Sequence, residues 1–417
     1  MLSKRVLILG GGRYNVPSIR AAREAGFVTL VADKNPEAPG LAAADHGLAI
    51  DLNDCESLLR LVAAYGGVDG VVSMAEVGVC AAAGISARLG LPSITEEAAA
   101  NATSKATMRR CWRQIGEYST DFEVAGTLDE AAIAVRNLKR FPLIVKPDRS
   151  FGGSRGVMRV ARAQDVATAF HAARAAGLQN SEVVIERWVD GSEHSAEVLI
   201  WNGQISLLCI GQKIKSLFPY RVDVSVHYPA QLTETQEAAV TDMCRQAINA
   251  LGLTQGAAHI EFAYTEVGPV LFELGARCGG GHTPQIAHHV SGVNEFVEAC
   301  RMACGIAPSQ FTPTRRRGAD YRFLLFPAGP VEQVSIPDAL AADNQVLDVG
   351  VALRAGDTVL PLQSSADRVG FVVSLGETMQ EAVERADRCC RDISIRYADG
   401  TAHHASELLE LLELEHS

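Results

Sequence analysis

Lys146 closes an apolar run, Phe141-Pro142-Leu143-Ile144-Val145, and is soon followed by Ser150-Phe151-Gly152-Gly153-Ser154-Arg155-Gly156. A lysine at a strand end offers an ammonium to phosphate oxygens, and glycines nearby let backbone N–H groups approach the same oxygens. The combination suits a nucleotide phosphate chain, although a surface lysine before an ordinary hairpin would read the same way in isolation. Further along, Val183-Val184-Ile185 runs into Glu186-Arg187-Trp188-Val189-Asp190-Gly191-Ser192-Glu193. That order suits an adenine slot between two lobes. Glu186 would accept from the exocyclic amine, the backbone at Trp188 and Val189 would read the ring edge, and Glu193 would take ribose hydroxyls. A surface strand end explains either acid singly, but not the ordered set.

A third constellation is Ala258-His259-Ile260-Glu261-Phe262 followed by Val270-Leu271-Phe272-Glu273-Leu274-Gly275-Ala276-Arg277. Adjacent antiparallel strands of this pattern would set Glu261 and Glu273 side by side among apolar residues, where unpaired carboxylates are costly. A divalent cation between them resolves that cost. Magnesium fits, because it takes a few carboxylates together with substrate phosphates. Two structural salt-bridge acids are the plain alternative. Arg277, beyond the second acid, could turn a planar fork toward a phosphoryl group or a carboxylate.

These residues need a frame of several domains. At 417 residues the chain exceeds what one hydrophobic core usually organises. Its first ninety or so residues alternate strands (Arg5-Leu9, Val28-Val31, Gly70-Ser73) with helical patterns (Ser18-Ala25, Glu56-Ala64), a rhythm that predicts βαβ units on a parallel sheet. Gly10-Gly11-Gly12 and Asp33 resemble a Rossmann phosphate loop and its ribose acid, but the GGGxxxxP spacing with Pro17 departs from GxGxxG, so a dinucleotide is not expected. Leu91-Pro92-Ser93 marks a boundary, and Thr103-Ser104-Lys105 then opens a capped helix. The resulting domains are 1–95, 96–310 and 311–417. The last follows a Pro- and Arg-rich joint, in which Arg315-Arg316-Arg317 reads as solvated.

Composition narrows the function classes. Hydrophobic residues make up 47% and charged residues 21%, and the net charge of -11 opposes nucleic acid as a partner. No apolar stretch approaches a membrane span, and the N-terminal run breaks at Gly10 before a secretory core could form. Ten cysteines without a CxxC pair suggest neither zinc nor a disulfide framework, in keeping with the cytoplasm.

In this order the motifs resemble the ATP-grasp superfamily over essentially the whole chain. The resemblance implies an α/β chain, α+β in the nucleotide domain: a Rossmann-like N-terminal domain, an ATP-grasp domain and a C-terminal domain like that of biotin carboxylase, ending in Gly370–Thr378. Glu-Leu-Gly-Ala-Arg-Cys-Gly-Gly-Gly-His and GGGxxxxP most resemble the L-amino acid ligases. By that resemblance Lys105, Lys146 and the loop Ser150, Gly152, Gly153, Ser154 and Gly156 contact ATP phosphates, while Glu186, Arg187, Trp188, Val189 and Glu193 hold adenosine. Glu261 and Glu273 would bind Mg2+, or Mn2+ in its place, and Arg277 would steady an acyl phosphate. Many ATP-grasp enzymes carry Asn where this chain has Gly275, which puts a third metal ligand in doubt and favours the dipeptide-ligase branch. Glu76, His227, His282 and Gly280 resemble positions near the amino-acid substrate, though a lone histidine on a strand is more often structural. Lys213 and Lys215 read as solvated. The implied activity joins a small-molecule carboxylate to an amine with ATP, in a chain that could form a homodimer. The rivals are a purine-pathway or carboxylase-type enzyme acting on formate or bicarbonate, and a nucleotide-binding scaffold without turnover.

Overall fold

The computed structural model describes residues 3–150, 153–216 and 221–407. Its N-terminal sheet is parallel, with β1 (Arg5–Leu9), β2 (Val28–Asp33), β3 (His46–Ala49) and β4 (Gly70–Ser73) in the order β3-β2-β1-β4. Val6 to Leu9 are wholly buried, as an unbroken apolar run must be when helices cover both faces of a parallel sheet. The turn after β1 is closed on itself. Gly11 N donates to Asp33 Oδ2 (2.9 Å) and Asn35 N to Asp33 Oδ1 (2.9 Å), so the acid that resembles a ribose ligand serves its own loop. The helix Pro39–Ala43 leans on the same turn, where a Cβ on Gly40 would come within 2.6 Å of the Gly11 backbone.

A small antiparallel lobe follows, built from β5 (Phe122–Ala125), β6 (Leu143–Pro147), β7 (Met158–Val160) and β8 (Val183–Arg187) in the order β5-β8-β6-β7. The helices Leu128–Leu138 and Val166–Ala176 bury one face of it. This lobe carries Lys146 and Glu186 on neighbouring strands.

The largest sheet has eight strands in the order β13-β12-β9-β10-β11-β14-β18-β16. Its members are β9 (Ser192–Trp201), β10 (Gln204–Lys215), β11 (Asp223–Tyr228), β12 (Gly256–Thr265), β13 (Gly268–Gly275), β14 (Gly318–Phe323), β16 (Val346–Val351) and β18 (Gly370–Gly376). It therefore runs without a break across residue 310, because β14 pairs with β11. The arginine joint is tied down as well as wet. Arg315 donates to His288 O (3.0 Å), Arg316 pairs with Glu237, and Arg317 pairs with Glu377 (3.1 Å). A last sheet, in the order β17-β15-β19-β20, joins β15 (Gly329–Ser335), β17 (Thr358–Val359), β19 (Ser394–Tyr397) and β20 (Ala402–His404). The sequence patterns mark no strand at β3, β5, β7, β10 or in this last sheet. Among the described residues no helix is long and apolar enough to cross a membrane.

Candidate active site

One cavity of about 500 Å³ opens between the small lobe, the large sheet and the N-terminal segment. Its charged floor follows from strand geometry. Side chains two residues apart share a face, so His259 and Glu261 point together on β12, and Lys213 and Lys215 together on β10, while Ile214 packs into the apolar core behind. Glu261 and Glu273 are direct register partners on β12 and β13, the juxtaposition expected from sequence.

The acids differ from expectation in being neither unpaired nor deeply buried. Lys213 Nζ stands 2.5 Å from Glu261 and Lys105 Nζ 2.8 Å from Glu273, and about a third of each acid's side chain is exposed. Helix capping fixes Lys105. Ser104 caps the helix Lys105–Trp112, and Asp148 Oδ1 accepts from both Ser104 Oγ and Ala106 N at 2.8 Å. Lys213 and Lys215, read as solvated, are instead only 7% and 8% exposed, because β10 lies inside the sheet. Lys215 reaches Glu193 (2.6 Å) and Asp223 (2.7 Å), and Arg221 reaches Glu193 (3.2 Å). Burial pushes the Asp223 carboxyl up, but Lys213, Lys215 and Arg368 outweigh it and hold it at about 2. Cations thus exceed carboxylates around this floor, which suits a polyphosphate ligand.

His259, which the sequence reading did not single out, lines the cavity, and its alternation with Glu261 is the signal of the shared face. Its Nδ1 meets Glu197 Oε1 at 2.6 Å and its Nε2 faces Glu261 at 3.5 Å. Burial lowers its pKa, yet Glu197 and Glu261 outweigh burial and raise it to about 9, so the ring is cationic at neutral pH.

At the small lobe, both oxygens of Glu186 are engaged, by Lys146 (2.5 Å) and by Arg109 (2.7 Å). Arg109 also donates to Leu271 O at 2.7 Å, tying this lobe to β13. An open carboxylate awaiting an adenine amine is therefore not what the fold presents. Trp188 N is likewise taken, donating to Pro142 O at 3.1 Å, which leaves the backbone beyond it to meet a ring edge. Ile144, Val157, Trp188, Val189 and Phe272 give that part of the cavity its apolar walls. Arg187 lines the cavity with its neighbours, and its guanidinium pairs with Asp121 (3.0 Å). In the glycine loop Ser150, Gly153 and Ser154 line the cavity, and Gly152 lies outside the described residues. Gly156 does not line it: at φ +70° it packs against the helix Val166–Ala176, where a Cβ would stand 2.6 Å from Ala176 Cβ.

The Glu186 cluster carries a stability prediction. Glu186→Gln strands two buried cations and should cost about 3 kcal/mol of unfolding free energy. Burial raises this carboxyl, but Arg109 and Lys146 outweigh it and hold it at about 2 against an ordinary 4.5. With the folded pKa depressed, the contribution is full above that ordinary value and is lost as pH falls toward 2. Urea unfolding of parent and variant across this window should show the difference shrinking with acid; a pH-independent difference would contradict the assignment.

Arg277 Nε pairs with Glu76 Oε2 at 3.0 Å, so an acid from the N-terminal segment positions the fork, and Arg277 NH1 donates to Cys278 O (2.9 Å). Burial drives the Glu76 carboxyl upward against the pull of Arg277. Gly275 now has a local reason. A Cβ there would lie 3.1 Å from Glu76 Oε2 and 3.3 Å from Arg277 Cζ, so an asparagine would crowd this pair. Arg277 and Gly280 line the cavity. His282 and His227 are not among its lining residues. His282 sits at the N-cap position of the helix Thr283–Ser291 without a side-chain cap bond, in an aromatic nest, and meets Asp348 at 3.0 Å, while His227 on β11 faces its register partner Asp320 on β14 at 3.9 Å. Among the described residues no group of three or more His, Cys, Asp or Glu is arranged to hold a metal by itself. Glu261 and Glu273, each with exposed surface, still fit a magnesium ion that brings phosphate oxygens with it.

Comparison with known proteins agrees with this architecture. Family models match as an ATP-grasp N-terminal domain over residues 19–93, an ATP-grasp domain over 139–285, and an L-amino acid ligase C-terminal domain 2 over 322–398. The chain is 24% identical to dapdiamide A synthase of Enterobacter agglomerans over 389 residues, covering 85% of this chain and 88% of that protein. It is 25% identical to a formate-dependent phosphoribosylglycinamide formyltransferase of Synechococcus over 422 residues, covering 94% and 98%. Its fold matches the crystal structure of an L-amino acid ligase from Bacillus licheniformis with a TM-score of 0.80 at 24% identity, covering 95% of this chain and 99% of that one. Together with the lysine-rich cavity, these matches make the chain a member of the ATP-grasp ligase superfamily with the C-terminal domain of the L-amino acid ligases.

Proposed function

We propose that the protein joins the carboxylate of one amino acid to the amine of another, converting ATP to ADP and phosphate through an acyl phosphate. The observation that carries this reading is the facing pair Glu261 and Glu273 with Lys105, Lys213 and Arg277 around one cavity. Lys105 and Lys146 neutralise the phosphate chain and hold its end toward the acids. Magnesium, held by Glu261 and Glu273 together with phosphate oxygens, would spread the charge of the transferring group. Arg277, braced by Glu76, orients the carboxylate for attack and then the acyl phosphate for the amine. Ser150, Gly153 and Ser154, which line the cavity, stand beside the phosphates and help keep water from the intermediate.

Activation of formate is the second reading, favoured by the match to the formyltransferase over almost its whole length. Against it speak the C-terminal domain model and Gly275, whose missing side chain leaves room for the Glu76–Arg277 pair. Ten free thiols suit the reducing cytoplasm. A screen of amino-acid pairs with phosphate detection tests the proposal. Release that needs two amino acids supports it, whereas release with formate alone or with no substrate overturns it.

A further inference from the structure

Part of the cavity wall comes from segments that the nucleotide chemistry does not use. Tyr14 follows the first glycine turn, Tyr321 and Phe323 lie on β14, and Arg368 and Phe371 flank the start of β18. The rings form one aromatic surface: Phe371 lies 5.9 Å from Tyr14 and 6.1 Å from Tyr321, and Tyr321 lies 4.6 Å from Phe323, between centroids. Arg368 stacks over Phe323 with its guanidinium carbon 3.7 Å from the ring centre.

Arg368 is short of partners. Among the described residues its Nε and one terminal nitrogen are buried without a hydrogen bond. The acid nearest it, Asp223, stands at 3.5 Å and is held closer by Lys215, at 2.7 Å. Burial depresses the Arg368 pKa, and Asp223 offsets that only in part. Arg368 lines the cavity, and its planar guanidinium can take up bonds from an incoming carboxylate. The aromatic surface next to it is matched by a large apolar side chain or ring.

We infer that this wall is the subsite for the amine-bearing substrate, an amino acid with an aromatic or large apolar side chain whose own carboxylate is held by Arg368. The assignment rests on the ligase reading and extends it. A carboxylate fixed by Arg368 is the one that is not activated, because activation takes place at the acids of β12 and β13. The geometry thus divides two carboxylates between two arginines, Arg277 for the one that reacts and Arg368 for the one that does not.

The test is calorimetric binding to protein saturated with ADP, using L-phenylalanine, L-phenylalaninamide and L-alanine. The parent should bind L-phenylalanine about tenfold or more tightly than either of the others. Arg368→Gln should erase the preference for the free carboxylate while ADP affinity is kept, and Arg368→Lys should erase most of it. Tyr14→Ala, at a half-exposed position, should reduce the preference over alanine and leave the carboxylate preference intact. A parent that does not distinguish the three ligands, or an Arg368→Gln protein that still prefers the carboxylate, overturns the subsite. Phosphate release dependent on amino-acid pairs, measured on the same preparation, separates the two ideas. Release without these preferences sinks the subsite alone, and no release with any pair sinks the ligase reading.

Discussion

Glu273→Gln is expected to reduce metal-dependent ADP formation by about 10³-fold while the protein stays folded. The substitution keeps volume and hydrogen bonding but removes one of the two charges facing each other on β12 and β13. Magnesium with its phosphates depends on that charge more than the fold does. A third of the Glu273 side chain is exposed, and its partner Lys105 retains Glu76 and Asp148 nearby, so the loss of the ion pair should lower the melting temperature by only a few degrees. Initial rates against magnesium concentration, with a melting curve on the same sample, check both parts. Turnover within a few-fold of the parent would remove Glu273 from the metal site.

Arg277→Lys should act on transfer rather than on nucleotide binding. Lysine keeps a charge near Glu76 but cannot hold that acid and the Cys278 carbonyl while presenting a further donor to the cavity. Loss of one oriented contact to developing charge is worth about 10²-fold in turnover. ADP affinity should stay near that of the parent. The opposing view is that the Glu76–Arg277 pair only pins the N-terminal segment to the large sheet. On that view the variant melts at a lower temperature, and its folded fraction turns over normally. Single-turnover phosphate release and melting temperature from one preparation decide between them.

The parts of the fold that could be read from sequence are those in which one strand or hairpin carries the whole signal. Glu261 and Glu273 were legible as neighbours because their strands join through the short turn after Thr265, although it is a bulge between Glu261 and Phe262, shifting the register set by that turn, that makes them direct partners. Strands such as Arg5–Leu9 and Gly70–Ser73 were legible because burial on both faces demands an unbroken apolar run. What escaped depends on partners distant in the chain. Nothing around Arg109 announces that it meets Glu186, 77 residues later, and Glu76 and Arg277 meet only because the N-terminal segment docks on the large sheet. That the large sheet continues past residue 310 escaped for the same reason, since β14 carries no mark of pairing with β11 across the joint. Lys213 and Lys215 do carry a mark, the spacing of two around Ile214, but a polar strand edge and a charged cavity floor share that pattern until the neighbouring strands are known.

The central claim is that a substrate carboxylate is activated by phosphorylation before an amine captures it. The most direct measurement starts from the amino-acid pair that supports release, with the donor carboxylate labelled in both oxygens by ¹⁸O, and reads the phosphate product by mass spectrometry. Attack of the carboxylate on the γ-phosphate breaks the bond to ADP and leaves one labelled oxygen bridging carbon and phosphorus. Displacement by the amine then releases that oxygen with phosphate. The account predicts one ¹⁸O in the phosphate for every amide formed. Amide formation with unlabelled phosphate would contradict it.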